Sequence, residues 1–162
     1  MLKIRENVFE TNSSSCHSLV INDNTIYDTI SCGDVLEIQG GEYGWGYEKL
    51  TSAIEKLNYV AVLLETLREK KNSTYEASLK VWANENYDKC YENYTEVVIN
   101  QTGTNKIKNL FKINWTNNGT YAYIDHQSCE SVGDFDFLLN KQKIKDLIFG
   151  KSSYIIIDND NH

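Results

Sequence analysis

At 162 residues, with 41% hydrophobic and 12% aromatic side chains, the chain can bury a core of its own, which excludes a disordered chain and a miniature scaffold held by disulfides or metal. Its 23 acidic against 16 basic residues leave a net charge of −7, which repels phosphate backbones and argues against direct nucleic-acid binding, while suiting either plain solubility or a partner with a basic groove. The start Met1-Leu2-Lys3-Ile4-Arg5-Glu6 lacks the apolar run of a secretory signal and no stretch reaches the length of a membrane span, so the expectation is one cytoplasmic domain over 1–162 with no membrane contact.

In chain order, 1–46 alternates short apolar runs with Asn, Asp and Gly breaks. Ser18-Leu19-Val20-Ile21, Thr25-Ile26-Tyr27 and Val35-Leu36-Glu37-Ile38 therefore read as short strands joined by turns. Over about 47–70, Leu50, Ile54, Leu57, Ala61 and Leu64 recur at helical steps, with Val60, Leu63 and Leu67 widening the stripe into an amphipathic helix. Ser73-x-x-Glu76 forms a capping box, so a second helix is expected over about 74–98 with Leu79, Trp82, Ala83, Tyr87, Cys90, Tyr91 and Tyr94 on its apolar face. Asn117-Asn118-Gly119 between Lys112-Ile113-Asn114-Trp115 and Thr120-Tyr121-Ala122-Tyr123-Ile124 predicts a hairpin. A helix over about 134–149, stopped by Gly150, then leads into Tyr154-Ile155-Ile156-Ile157, an apolar run that reads as a strand buried on both faces. Together these predict an α+β fold: a small mixed or antiparallel sheet, two longer helices and a C-terminal helix–strand unit.

Cys16, Cys32, Cys90 and Cys129 are far apart and form no C-x-x-C pair, so they read as reduced thiols and not as a zinc or redox motif. Chemistry concentrates instead in three polar segments. The first is Glu10-Thr11-Asn12-Ser13-Ser14-Ser15-Cys16-His17-Ser18, between apolar Val8-Phe9 and Leu19-Val20-Ile21. Its hydroxyls either bond the local backbone in a turn, or make a site in which His17 is acid or base and a Ser or Cys16 is nucleophile or anion contact. The second is Gln39-Gly40-Gly41-Glu42-Tyr43-Gly44-Trp45-Gly46, which has neither the lysine of a phosphate-binding P-loop nor a dinucleotide fingerprint. Glu42 and Trp45 are ligand candidates there, unless the turn merely buries the indole. The third is Tyr123-Ile124-Asp125-His126-Gln127-Ser128-Cys129-Glu130, at the end of a predicted strand, where Asp125 and His126 would point to opposite faces if the strand continued. His17 and His126 with Glu42 or Asp125 have ligand chemistry, but no metal-site spacing supports them, so neither metal nor cofactor is expected.

The segment Val8-Phe9-Glu10-Thr11-Asn12-Ser13-Ser14-Ser15-Cys16-His17-Ser18 resembles the N-terminal signature of a family of uncharacterised phage and prophage proteins, usually read FETNSSSSHS, with Cys16 where that pattern has a fourth serine. Glu42-Tyr43-Gly44-Trp45 is similar to the family's GEFGW-type motif and Asp125-His126-Gln127-Ser128 to its DHQS-type motif. The resemblance implies a mobile-element setting and, by analogy with small accessory phage proteins, a role against host defences.

Three functions are consistent with the sequence. A counter-defence inhibitor would bind a bacterial immune protein through an acidic, tyrosine-rich surface. An enzyme or nucleotide-like ligand binder would gather His17, Glu42, Asp125 and His126 as catalytic groups, with Asn12, Ser13, Ser14, Ser15, Cys16, Trp45, Gln127 and Ser128 as ligand contacts. A structural or assembly protein would use the polar segments only as turns. The oligomeric state is not legible from the sequence.

Overall fold

The isoleucine run near the end of the chain forms the middle of the main sheet. In the computed structural model, which describes residues 2–3, 15–22, 26–43, 46–72, 77–108, 122–124 and 132–159, strand β8 (Tyr154–Asn159) lies between β2 (Ser15–Ile21) and β5 (Glu48–Leu50), with β1 (Leu2–Lys3) outside β2. All three pairings are antiparallel, with Leu19 opposite Ile155 and His17 opposite Ile157. Side chains alternate across the sheet, so His17, Leu19, Ile21, Ile155 and Ile157 all face the helices and are buried. Burying one such aliphatic side chain contributes about 1.5–3 kcal/mol. On the outer face Tyr154 and Ile156 are only half covered, and Lys49 lies over the Tyr154 ring, 4.6 Å from its centroid. The sequence expectation of a strand buried on both faces therefore holds for one face and in part for the other.

Two parallel pairs complete the strand complement of the described residues. These are β3 (Val35–Glu37) with β6 (Lys106–Lys108), and β4 (Gly41–Tyr43) with β7 (Ala122–Ile124). The expected hairpin around Asn117-Asn118-Gly119 and the Ser73-x-x-Glu76 capping box lie outside the described residues. Thr25-Ile26-Tyr27 does not give a strand in its described part: Tyr27 makes a single bridge to Gly150.

Helix α1 (Ala53–Lys71) starts later than the apolar spacing predicts. Ser52 is its N-cap in extended conformation, with Glu55 N–H donating to Ser52 Oγ (3.3 Å) and Ser52 N–H to Glu55 Oε2 (3.1 Å). This capping box fixes the start, so Leu50 belongs to β5 and Ile54, counted on the buried stripe, is 41% exposed. Arg68, Lys70 and Lys71 in the last turn complement the helix dipole. Buried positions run almost all the way round α1, which is the property of a central helix.

Helix α2 (Ala77–Thr102) packs on α1 through Leu79, Ala83, Cys90, Tyr94, Val97 and Val98, and Tyr94 Oη donates to Leu57 O (3.0 Å). It ends where Gly103 takes φ +73° and its N–H closes on Ile99 O at 2.9 Å. The C-terminal helix is shorter than expected. Two 3₁₀ turns, Val132–Asp134 and Asp136–Leu139, precede α3 (Lys141–Phe149), because extended Asn140 interrupts the chain and caps α3 by accepting from Lys143 N–H (3.1 Å).

The turn from α3 into β8 is clamped from beneath by Lys56. Its Nζ, wholly buried, donates to Gly150 O (3.0 Å) and Ser153 O (2.8 Å). Burial lowers its pKa to about 8, against the pull of Asp28 and Glu55. The buried apolar side chains of the described residues form one contiguous cluster around α1.

Candidate functional site

One turn along α1 from Lys56, Tyr59 brings two of the three polar segments together. His17, carried by β2, is wholly buried, and its Nδ1 is 2.8 Å from Tyr59 Oη. The tyrosine donates when the imidazole carries its hydrogen on Nε2, and the ring donates when it is on Nδ1. Tyr43, at the end of β4, meets the other side of Tyr59 edge-on, with ring centroids 5.0 Å apart and planes at 70°. The His17 and Tyr59 rings are 5.8 Å apart and tilted by 46°. Histidine of the first segment, tyrosine of the second and Tyr59 of α1 therefore form one continuous aromatic and hydrogen-bonded cluster.

The backbone brings in β7, whose Tyr123 and Ile124 open the third segment. In the parallel pair β4–β7, Glu42 is in register with Tyr123 and Tyr43 with Ile124, and both strands lie against α1. Because the two strands run the same way, the chain leaves both at the same end, immediately before Gly44-Trp45 in one case and Asp125-His126 in the other. The glycine run has a packing reason here. A Cβ on Gly41 would lie 2.7 Å from the hydroxyl oxygen of Tyr43 and 2.8 Å from its ring, so only glycine lets that ring fold back along the strand toward Tyr59.

The electrostatics around Tyr43 are acidic. Burial, then Glu48, then Glu55 push its pKa up to about 12, so it is a neutral donor at physiological pH. Glu48 is in register with Ile157, the same residue that His17 faces from the opposite strand, and is thus in His17's row across the sheet. Its own pKa is raised by partial burial and by Glu55. Glu55 is held low by the Ser52 backbone bond and its other cap contacts.

Of the residues singled out from sequence, His17 sits at the centre of this cluster, although sealed from solvent. Ser15 and Cys16 are placed on β2 in register with Asn159 and Asp158, so the described part of the first polar segment lies beside the end of β8. Glu42 is placed on β4, in register with β7. Asn12, Ser13, Ser14, Trp45, Asp125, His126, Gln127 and Ser128 lie outside the described residues. Cys32 and Cys90 are free thiols, and burial pushes the Cys90 pKa up to about 12. Sequence reasoning did not pick out Tyr59, Tyr43 or Glu48. Tyr59 falls between Leu57 and Ala61 of the apolar stripe, where a phenol is a polar-tipped side chain needing a partner, and that was the available signal.

A second surface lies on α2. Glu85, Asp88, Glu92 and Glu96 recur at three- and four-residue steps and are all exposed, on the side of the helix turned away from α1.

Among the described residues no cluster of three His, Cys, Asp or Glu side chains could hold a metal ion, and no helix is long and apolar enough to cross a membrane. Compared with known proteins, the chain matches no family model, no curated protein and no solved structure.

Proposed function

We propose that this chain is a mobile-element accessory protein that uses its three polar segments as a single site for a small, ring-bearing ligand. The observation that carries this reading is the meeting of β4 and β7 on α1, where Tyr59 is bonded to His17 of β2 and packs edge-on against Tyr43. The described parts of the three segments reach one helix, which segments serving only as surface turns need not do. His17 acts as a positioning residue: it fixes the Tyr59 hydroxyl and so the Tyr43 ring behind the end of β4. Trp45, Asp125 and His126, with Asn12 to Ser14, supply the ligand contacts and any acid–base chemistry. The acidic surroundings favour a neutral or cationic ring, such as a nucleoside base, over a polyphosphate.

The test is a calorimetric titration of the purified chain with a panel of nucleosides and nucleotides, repeated on Tyr59→Phe and His17→Gln. The expected result is that one class binds and that each substitution weakens it at least about tenfold, the scale of one lost hydrogen bond of about 1.5 kcal/mol. If no member binds, and both variants protect phage against host immunity as well as the unmodified chain does, the reading fails.

A second reading is a counter-defence inhibitor that binds a bacterial immune protein directly. The four carboxylates along α2 favour it, since they give the net charge a defined face. It predicts the opposite pattern: charge reversal at Glu85 and Glu92 abolishes protection, while His17→Gln preserves it.

A further inference from the structure

The outer side of α2 carries more than charge. Between its acidic stripe and its buried face runs a groove of about 400 Å³, lined among the described residues by Tyr91, Glu92, Thr95, Glu96, Ile99 and Asn100. Glu96 and Asn100 also line an adjacent hollow, whose far side is Lys141, Gln142 and Lys145 of α3. The Tyr91 ring and the Ile99 side chain supply apolar lining, and both are only half buried. Glu92 and Glu96 line the groove itself, and Glu85 and Asp88 extend the exposed acidic stripe from it toward the start of the helix.

Two of these carboxylates already hold an ammonium group. Lys89 Nζ is 3.9 Å from Glu92, and Lys141 Nζ is 2.6 Å from Glu96, between side chains that are all roughly half exposed. Exposed pairs of this kind exchange readily. From Tyr91 to Asn100 the helix rises about 13.5 Å, the span over which a partner helix places anchors at i, i+3 or i+4, and i+7.

We infer that this groove is a docking site for a basic amphipathic helix of a protein partner, its apolar stripe on Tyr91 and Ile99 and its Lys or Arg side chains on Glu85, Asp88, Glu92 and Glu96. The inference deepens the second reading above and rests on it. Nucleic acid and anionic membrane are disfavoured by the same four carboxylates.

The test uses a fluorescent synthetic peptide of about 18 residues with leucines at helical spacing and lysines elsewhere, against a scrambled peptide of identical composition. Anisotropy and amide chemical-shift mapping are measured on the full chain at low and physiological salt. The expected result is micromolar binding of the amphipathic peptide, mapped to 88–100 and weakened by salt. The scrambled peptide, the Ile99→Asp variant, and the double variant Glu92→Lys with Glu96→Lys should each bind at least about tenfold more weakly. The charge-reversed positions are exposed, so that double variant reads the groove even if Ile99→Asp fails to fold. Equal binding of the two peptides, unchanged binding by the double variant, or shifts mapped elsewhere would overturn the inference. The two levels separate cleanly. If the peptide docks as expected but the double variant still protects phage fully, the inhibitor reading fails and the groove stands. If Glu85→Lys with Asp88→Lys abolishes protection while the peptide does not dock, the groove fails and the reading stands.

Discussion

Lys56 and Tyr59 are neighbours on α1, both buried and both polar, yet they are held in different ways. Lys56 bonds two main-chain carbonyls of one turn, which any sequence would present there; Tyr59 bonds the side chain of His17 and packs edge-on against that of Tyr43. A contact to backbone asks only that the chain pass by. A contact between side chains asks that three separate segments keep their residues. This difference is why we treat Lys56 as architecture and propose the Tyr59 cluster as part of a site, even though the buried ammonium costs more to desolvate than the phenol.

The largest effect that can break this comparison comes from Lys56→Met. It leaves the Gly150 and Ser153 carbonyls without their donor and should cost about 2–4 kcal/mol in urea unfolding, with ligand binding by the folded fraction unchanged. Its pH dependence has a definite sign. The native ammonium titrates near 8 and the unfolded one near 10.5, so between these values the unfolded state holds more protons and stability rises with pH. Cys90 and Tyr43, raised to about 12 from 9.0 and 10.0, act the other way: stability is lost above those unfolded values. Unfolding midpoints should therefore climb from about pH 8 to about 9 and fall above about 10, and Lys56→Met should abolish the climb alone.

Gly41→Ala comes next. The added methyl must displace the Tyr43 ring, at a cost of about 1–3 kcal/mol, and the near-ultraviolet tyrosine circular dichroism should change even where the fold survives. If that signal and ligand binding are both untouched, the Tyr59 cluster is as architectural as the Lys56 clamp. The smallest effect is at Thr95, whose hydroxyl is shut from solvent without a hydrogen-bond partner. Thr95→Val keeps the shape and should shift stability by less than about 1 kcal/mol, upward if at all, in the same urea titration.

The α+β character, the bodies of α1 and α2, and β8 were legible because hydrophobic period and the isoleucine run are local signals. The boundaries were not. Leu50 stands in helical phase with Ile54 and Leu57 by coincidence, and only the Ser52–Glu55 capping box separates strand from helix. Asn140 reads as one polar residue in a helical stretch until its extended backbone is seen. At the site, His17 stood out through its polar neighbours, whereas Tyr59 was hidden among apolar residues and Glu48 among ordinary surface charges. Their meeting depends on the register of β2 and β5 against β8, which no local pattern encodes.

The central place of β8 has a consequence for how the molecule is made. β2 and β5 do not pair with each other; β2 has only β1 beside Val20 and Ile21, and the rest of it and all of β5 wait for a strand that begins at Tyr154. On a ribosome, α1 and α2 can close on one another while the first polar segment still has no sheet partner, because helix pairs form from near neighbours and the β2–β8 ladder spans most of the chain. His17 is thus organised by residues far downstream of it, and a nascent chain acquires its helices well before the histidine acquires its strand partner.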